Sequence, residues 1–175
     1  MSGLVICTLE GGKTILDLEA KGLKFKIADD LKEELSKDRP QNRSRGGEIA
    51  FYQGLFLKGS GNKALADQEE DAHLDALKLR GKLRLKRITE EIRGFADYGE
   101  IFLQYKKRGA ILLERGFHPV FLSARTRTRV FPENVGPQNY VVDIGPYDPD
   151  GLCVHILSRD EKDPEVGVWP LFRPV

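Results

Sequence analysis

The sequence predicts an α+β protein made of two small α/β units, residues 1–93 and 94–175, the second a mixed sheet with a long helix packed on it. Three observations lead there. Apolar residues recur at three- and four-residue spacing through the middle of the chain, whereas past Gly116 they come in short runs and alternations with the two-residue period of strands. Glycine and proline, 18 and 9 residues, punctuate the chain often enough that most elements must be short. Finally, 175 residues that are 40% hydrophobic and 31% charged hold enough apolar material for a packed core.

The elements follow in order. Residues 4–9, 14–18 and 23–27 are apolar bursts set between Gly11-Gly12 and Gly22, and each is expected to be a short strand. Leu31 and Leu35 stand one turn apart in a charged run that ends at Pro40, which predicts a short amphipathic helix. Residues 41–47 form a polar loop. Ile49, Tyr52 and Phe56 then recur at helical spacing, so a buried helix is expected over 48–58, ended by Gly59-Ser60-Gly61. Gly54 within it is tolerated only where another element packs closely. Residues 67–79 carry Asp67, Glu69, Glu70 and Asp71 at the start and Lys78 at the end, the charge order that a helix dipole favours, with Gly81 as the stop. Leu83 and Leu85 alternate with basic residues as a brief strand, and Thr89 is expected to cap a helical turn bearing Ile92. The long helix runs from about Asp97 to Arg115, with Tyr98, Phe102, Tyr105, Gly109 and Leu112 on one face and Gly116 at its end. Strands are expected over 120–123, 125–131, 140–144, 152–157 and 166–172.

Several function classes drop out at once. A net charge of +1 excludes a globally basic nucleic-acid binder while leaving room for a local basic patch. The sequence has no apolar run of membrane-spanning length and no basic leader, which predicts a cytoplasmic protein. Cys7 and Cys153 are far apart without Cys-x-x-Cys or Cys/His clustering, so no metal site or disulfide framework is indicated, and two buried thiols are preferred over a pair. Gly12-Lys13-Thr14 lacks the glycine a phosphate loop needs five residues earlier, where Cys7 stands. No cofactor is expected.

Four features carry chemistry. His73 lies on a charged helix and His155 in an apolar strand, whereas His118, next to Pro119, is the histidine placed to act as an acid or base. Arg125, Arg127 and Arg129 alternate with threonine, which in a strand puts three guanidinium groups on one face about 7 Å apart, near the spacing of successive phosphates. The plainer reading is an edge strand whose charge deters unwanted pairing. Residues 158–165 form a mostly acidic turn between two apolar strands, either merely solvated or a docking plug. Residues 166–172 make an apolar end strand with the only tryptophan, of the kind that pairs with a partner or is covered.

Taken in order, four segments resemble the archaeal tRNA-splicing (tRNA-intron) endonucleases. They are the helix from Tyr98 to Arg115 followed by Gly116-Phe117, the strand ending Thr128-Arg129-Val130-Phe131, the stretch Pro137-Gln138-Asn139-Tyr140-Val141-Val142-Asp143-Ile144, and the final acidic turn. They are similar to that family's helix, Arg-Gly-aromatic, Phe-Arg-Val-Tyr, His-Ser-x-Tyr-Leu-Val and acidic turn before the last strand. The resemblance covers the C-terminal half and implies a nuclease-like sheet there. It also implies metal-free cleavage by a Tyr, a His and a Lys, and here the sequence departs. The tyrosine position falls on Ala124, the histidine position on Pro137 or Gln138, and the lysine position on residues 145–151, with no lysine between Lys107 and Lys162.

The resemblance without the trio implies a non-catalytic, structural subunit of a heterotetrameric endonuclease, bound to a catalytic subunit and through it to precursor tRNA. Asp160, Glu161 and Asp163 would then enter a basic groove on the catalytic subunit, and Val166, Val168, Trp169, Leu171 and Phe172 would pair edge to edge with a partner strand. The alternatives are a stand-alone RNA-binding module that uses the arginine ladder and an unrelated metal-free enzyme built on His118 and Tyr147.

Overall fold

The first apolar burst is a strand, β1 (Leu4–Leu9), in the computed structural model, which describes residues 4–52, 57, 59–83, 88–91, 93–107, 123–130, 139–148 and 150–174. The second burst is a helix, α1 (Ile15–Ala20), where a strand was expected. Thr14 decides this. Its hydroxyl accepts from the Asp17 N–H at 3.3 Å while its own N–H donates to the Asp17 carboxylate at 2.8 Å. That reciprocal box satisfies two groups that an isolated turn leaves unpaired. It also puts Ile15 and Leu18 on one buried face. A two-residue strand, β2 (Phe25–Lys26), and the expected amphipathic helix, α2 (Asp29–Ser36), follow, with Leu31 and Leu35 buried. Pro40 opens a single 3-10 turn (Pro40–Asn42).

The described part of the helix expected over 48–58 is not helical. Its first part is β3 (Gly47–Tyr52), paired antiparallel with β1 from Leu9↔Gly47 to Leu4↔Tyr52. Ile49 and Phe51 alternate into the core, and a full ladder with a distant strand outweighs the local spacing. Residues 53–56 and 58 lie outside the described set. Helix α3 (Leu65–Leu83) starts earlier than predicted and passes through Gly81, so that glycine does not stop it. Thr89 caps no helical turn; it lies in β4 (Ile88–Glu91). Helix α4 (Phe95–Lys107) leads, across residues 108–122, to β5 (Ser123–Val130), β6 (Tyr140–Asp148), β7 (Gly151–Ser158), β8 (Val166–Gly167) and β9 (Leu171–Pro174). The expectations for Leu85, Ile92, Gly109, Leu112, Gly116, 120–122 and Phe131 fall outside the described residues.

Helices and two sheets together make an α+β fold. One sheet has the order β1-β3-β9-β4 and the other β2-β7-β6-β5-β8. The strands on the two sides of Gly94 interleave. β9, near the C-terminus, lies between β3 and β4, and β2, from the N-terminal third, runs parallel to β7 at the edge of the second sheet. A continuous cluster from Cys7 and Leu9 through Leu35, Phe51 and Phe102 to Val154 and Leu171 joins both sheets.

Helix α4 is at the centre of that cluster: every residue over 95–103 is buried. It is apolar on nearly all sides, as a helix enclosed in a core must be. Gly99 lets α1 close on it, since a Cβ there would stand 2.6 Å from a Leu18 methyl. Its two acids do not face water. The Glu100 carboxylate accepts from Glu10 N at 2.7 Å, from Gly11 N at 3.0 Å and from the Ser44 hydroxyl, and Asp97 Oδ1 accepts from Arg45 N at 2.8 Å. These bonds moor the loops before α1 and β3 to the helix.

Candidate functional site

The acidic turn is not a hairpin tip. β7 and β8 are separated in the sheet by β6 and β5, so residues 159–165 cross from one part of the sheet to its far edge, where β8 runs parallel to β5. Its backbone is fastened at several points. Glu161 N donates to Ser158 O at 3.2 Å and Val166 N to Asp163 O at 3.3 Å. From the segment before α3, Asn62 N donates to Asp163 O and Leu65 N to Arg159 O, both at 2.8 Å. The three predicted docking acids separate in role. Asp160 and Glu161 are exposed, while Asp163 is half-buried and its Oδ1 accepts from Glu165 N at 2.8 Å.

The arginine ladder does not form. Arg125 is fully buried, and its guanidinium donates to Lys63 O at 3.0 Å and to Glu161 O at 2.8 Å. It is a strut under the acidic turn. Beyond it the pairing of β5 with β6 slips: Arg125 is opposite Asp143 and Arg129 opposite Val141, so four residues of β5 span two of β6. Such a bulge re-aims side chains, and Arg127 and Arg129 reach the surface. Arg127 Nε lies 2.7 Å from Glu69 Oε1 on α3. Burial draws the Arg125 pKa down from its ordinary value, opposed by the nearby charges of Asp143, Glu161 and Asp163.

The predicted interface strand is likewise corrected. Val166, Val168, Trp169, Leu171 and Phe172 are all buried within this chain, Val166 in β8, Leu171 and Phe172 in β9 of the other sheet, and Val168 and Trp169 in the connection between them. Trp169 is a hub, 5.4 Å from the Phe51 ring, 5.2 Å from Tyr98 and 5.7 Å from Phe102. The Tyr98 hydroxyl donates to Trp169 O at 2.7 Å. Within this segment β9 is enclosed between β3 and β4, whereas β8 is the outermost strand of the second sheet.

Of the histidines, His73 is exposed on α3 and His118 lies outside the described residues. His155 Nδ1 stands 3.7 Å from Asp143 Oδ2, and that carboxylate raises the imidazole pKa above its ordinary value. Cys7 and Cys153 are buried on different sheets and form no disulfide. The Tyr147 side chain is outside the described set. Residues 145–148, where the family's lysine-bearing helix would fall, continue β6 as strand.

Sequence reasoning passed over one place. Arg43 and Arg45, read only as part of a polar loop, line a cavity of about 410 Å³ with Arg127, Asp97, Pro40, Gly94 and Thr128. The spacing Arg43-Ser44-Arg45 is the local signal; the meeting with Arg127 is made by the tertiary fold. Asp97 is completely buried, its Oδ2 has no hydrogen-bond partner, and burial pushes its pKa up against the pull of the Arg45 and Gly46 N–H groups and Arg93. No protein-family model, curated protein or solved structure matches the chain. No helix among the described residues is long and apolar enough to cross a membrane.

Proposed function

We propose that this chain is a non-catalytic subunit that assembles with a catalytic tRNA-intron endonuclease subunit and offers its acidic turn to a basic groove there. The observation that carries the reading is the turn: its backbone is tied to β5 and to the approach to α3, while Asp160 and Glu161 stay exposed. A charged tip on a loose loop must be ordered when it docks, which costs free energy; a turn already fixed does not. Two outward carboxylates raise the encounter rate with a basic partner and bias its orientation. The likeness of the C-terminal segments to the endonuclease family supports the class of partner. Pairing through residues 166–172 forms no part of the reading.

The test is co-expression with a catalytic subunit carrying the family's Tyr, His and Lys. A stable complex that cuts precursor tRNA is expected, and the isolated chain should cut nothing. The double change Asp160→Lys and Glu161→Lys should weaken assembly by about a hundredfold, chiefly through loss of two charge pairs and introduction of repulsion. An unaltered complex would sink the docking role. A second reading, a stand-alone RNA-binding module, is favoured by the exposure of Arg127 and Arg129. It predicts RNA binding without any partner, with a salt slope that falls when those two arginines are replaced.

A further inference from the structure

The arginine-lined cavity lies between the loop after α2, the start of α4 and the bulge of β5. It is walled by three guanidinium side chains and floored by one carboxyl group. Among the described residues, two of the arginines pair with one acid each. Arg43 Nε is 2.8 Å from Asp38 Oδ1 and Arg127 Nε 2.7 Å from Glu69 Oε1, and in both pairs the arginine is over 40% exposed. Pairs of this kind contribute about 0–1 kcal/mol each. A phosphate that brings two charges and several acceptor oxygens to both arginines at once out-competes them, since bidentate charge-assisted bonds are stronger than solvated ones.

Other features of the site agree. Arg43 is aimed by a second bond, from Nη1 to Gly12 O at 2.8 Å. The Arg127 backbone is fixed by its own N–H, which donates to Arg93 O at 3.0 Å. Gly94 is packed so closely that a Cβ would meet the Thr128 hydroxyl at 3.2 Å, which lets the start of α4 approach β5. Asp97 in the lining is buried, and its Oδ2 has no hydrogen-bond partner among the described residues. An acceptor beneath a ring of cations suits a ligand that carries a hydroxyl or amine donor as well as an anion. The cavity volume is within the usual range for small-ligand sites and adequate for one nucleotide.

We propose that this cavity binds the phosphate of a nucleotide, with Arg43, Arg45 and Arg127 on the phosphate and Asp97 accepting from the sugar or base. The nucleotide is either free or a unit of an RNA chain. The site is separate from the acidic turn, so its occupancy does not depend on docking.

Binding is measured by calorimetry on the full chain with inorganic phosphate, adenosine, AMP and a short single-stranded RNA. AMP should bind at least about tenfold tighter than either phosphate or adenosine, because each of these keeps only one of the two anchors. Arg43→Ala with Arg127→Ala should abolish saturable binding. Glu69→Gln and Asp38→Asn release the arginines and should tighten AMP binding by about two- to fivefold each, a gain that misfolding cannot mimic. AMP that displaces the RNA identifies the free nucleotide as sufficient. Saturable RNA binding that AMP does not match, lost in the double arginine variant, identifies the chain as the source. Binding of neither, or binding indifferent to Arg43, Arg127, Glu69 and Asp38, overturns the proposal.

Discussion

At the scale of single residues, one side-chain type takes on opposite roles according to its neighbours. Arg125 and Arg127 are two positions apart on one strand. Arg125 is enclosed and holds two carbonyls, whereas Arg127 faces water across from Glu69. Local sequence treats them alike because the alternation is the same; what separates them is that the segment before α3 and the acidic turn close over Arg125, through Lys63 O and Glu161 O. The His155–Asp143 contact shows the same dependence in a titratable form. Asp143 holds His155 above the ordinary imidazole pKa, while partial burial and Lys26 oppose it. A raised folded-state value means that the folded protein binds this proton more tightly than the unfolded chain. The stabilisation is therefore complete below about pH 6.5 and is lost as pH rises through the folded-state value. His155→Gln should flatten the pH dependence of the urea midpoint above about pH 6 and leave the lower range unchanged. A midpoint whose rise toward acid persists in the variant would assign it to another group.

At the scale of elements, the clearest lesson comes from two short segments that sequence periodicity assigns to the wrong class. Thr14 to Leu18 is too short for period to discriminate strand from helix, and a capping box settles it. The signal was present in the sequence as Thr-x-x-Asp. Thr14→Ala should cost about 1 kcal/mol in equilibrium unfolding, with the loss of the cap bond to Asp17 N. No change would mean that packing of Ile15 and Leu18 alone holds the helix. In the opposite direction, Ile49, Tyr52 and Phe56 have helical spacing, yet residues 47–52 are strand. Nothing local to those residues announces it, because the deciding partner is β1, some forty positions away in the sequence. Helices with a strong one-sided pattern and charges matched to the dipole, α2 and α3, were legible to within a few residues.

At the scale of the whole molecule, the last strand matters most. β9 lies between β3 and β4, and Leu171 and Phe172 are 1% exposed. Removing residues 171–175 deletes two buried side chains worth about 2–5 kcal/mol apiece and leaves two strands without their neighbour. Against a typical total of about 5–15 kcal/mol, the shortened chain should lose cooperative thermal unfolding and the near-ultraviolet dichroism of Trp169. Retention of both would show that the first sheet closes without β9. By itself the sequence determined the class of the fold, the amphipathic helices, most of the strands after residue 122, the burial of both cysteines and the outward charge of Asp160 and Glu161, all of which rest on hydrophobic period and local charge. Only the tertiary structure decided which arginine is interior, that Trp169 and its neighbours serve the chain's own core, and that Arg43 and Arg45 meet Arg127 around Asp97. Those depend on which distant strands and loops come together, and contacts of long sequence separation leave no periodic trace in the residues that make them.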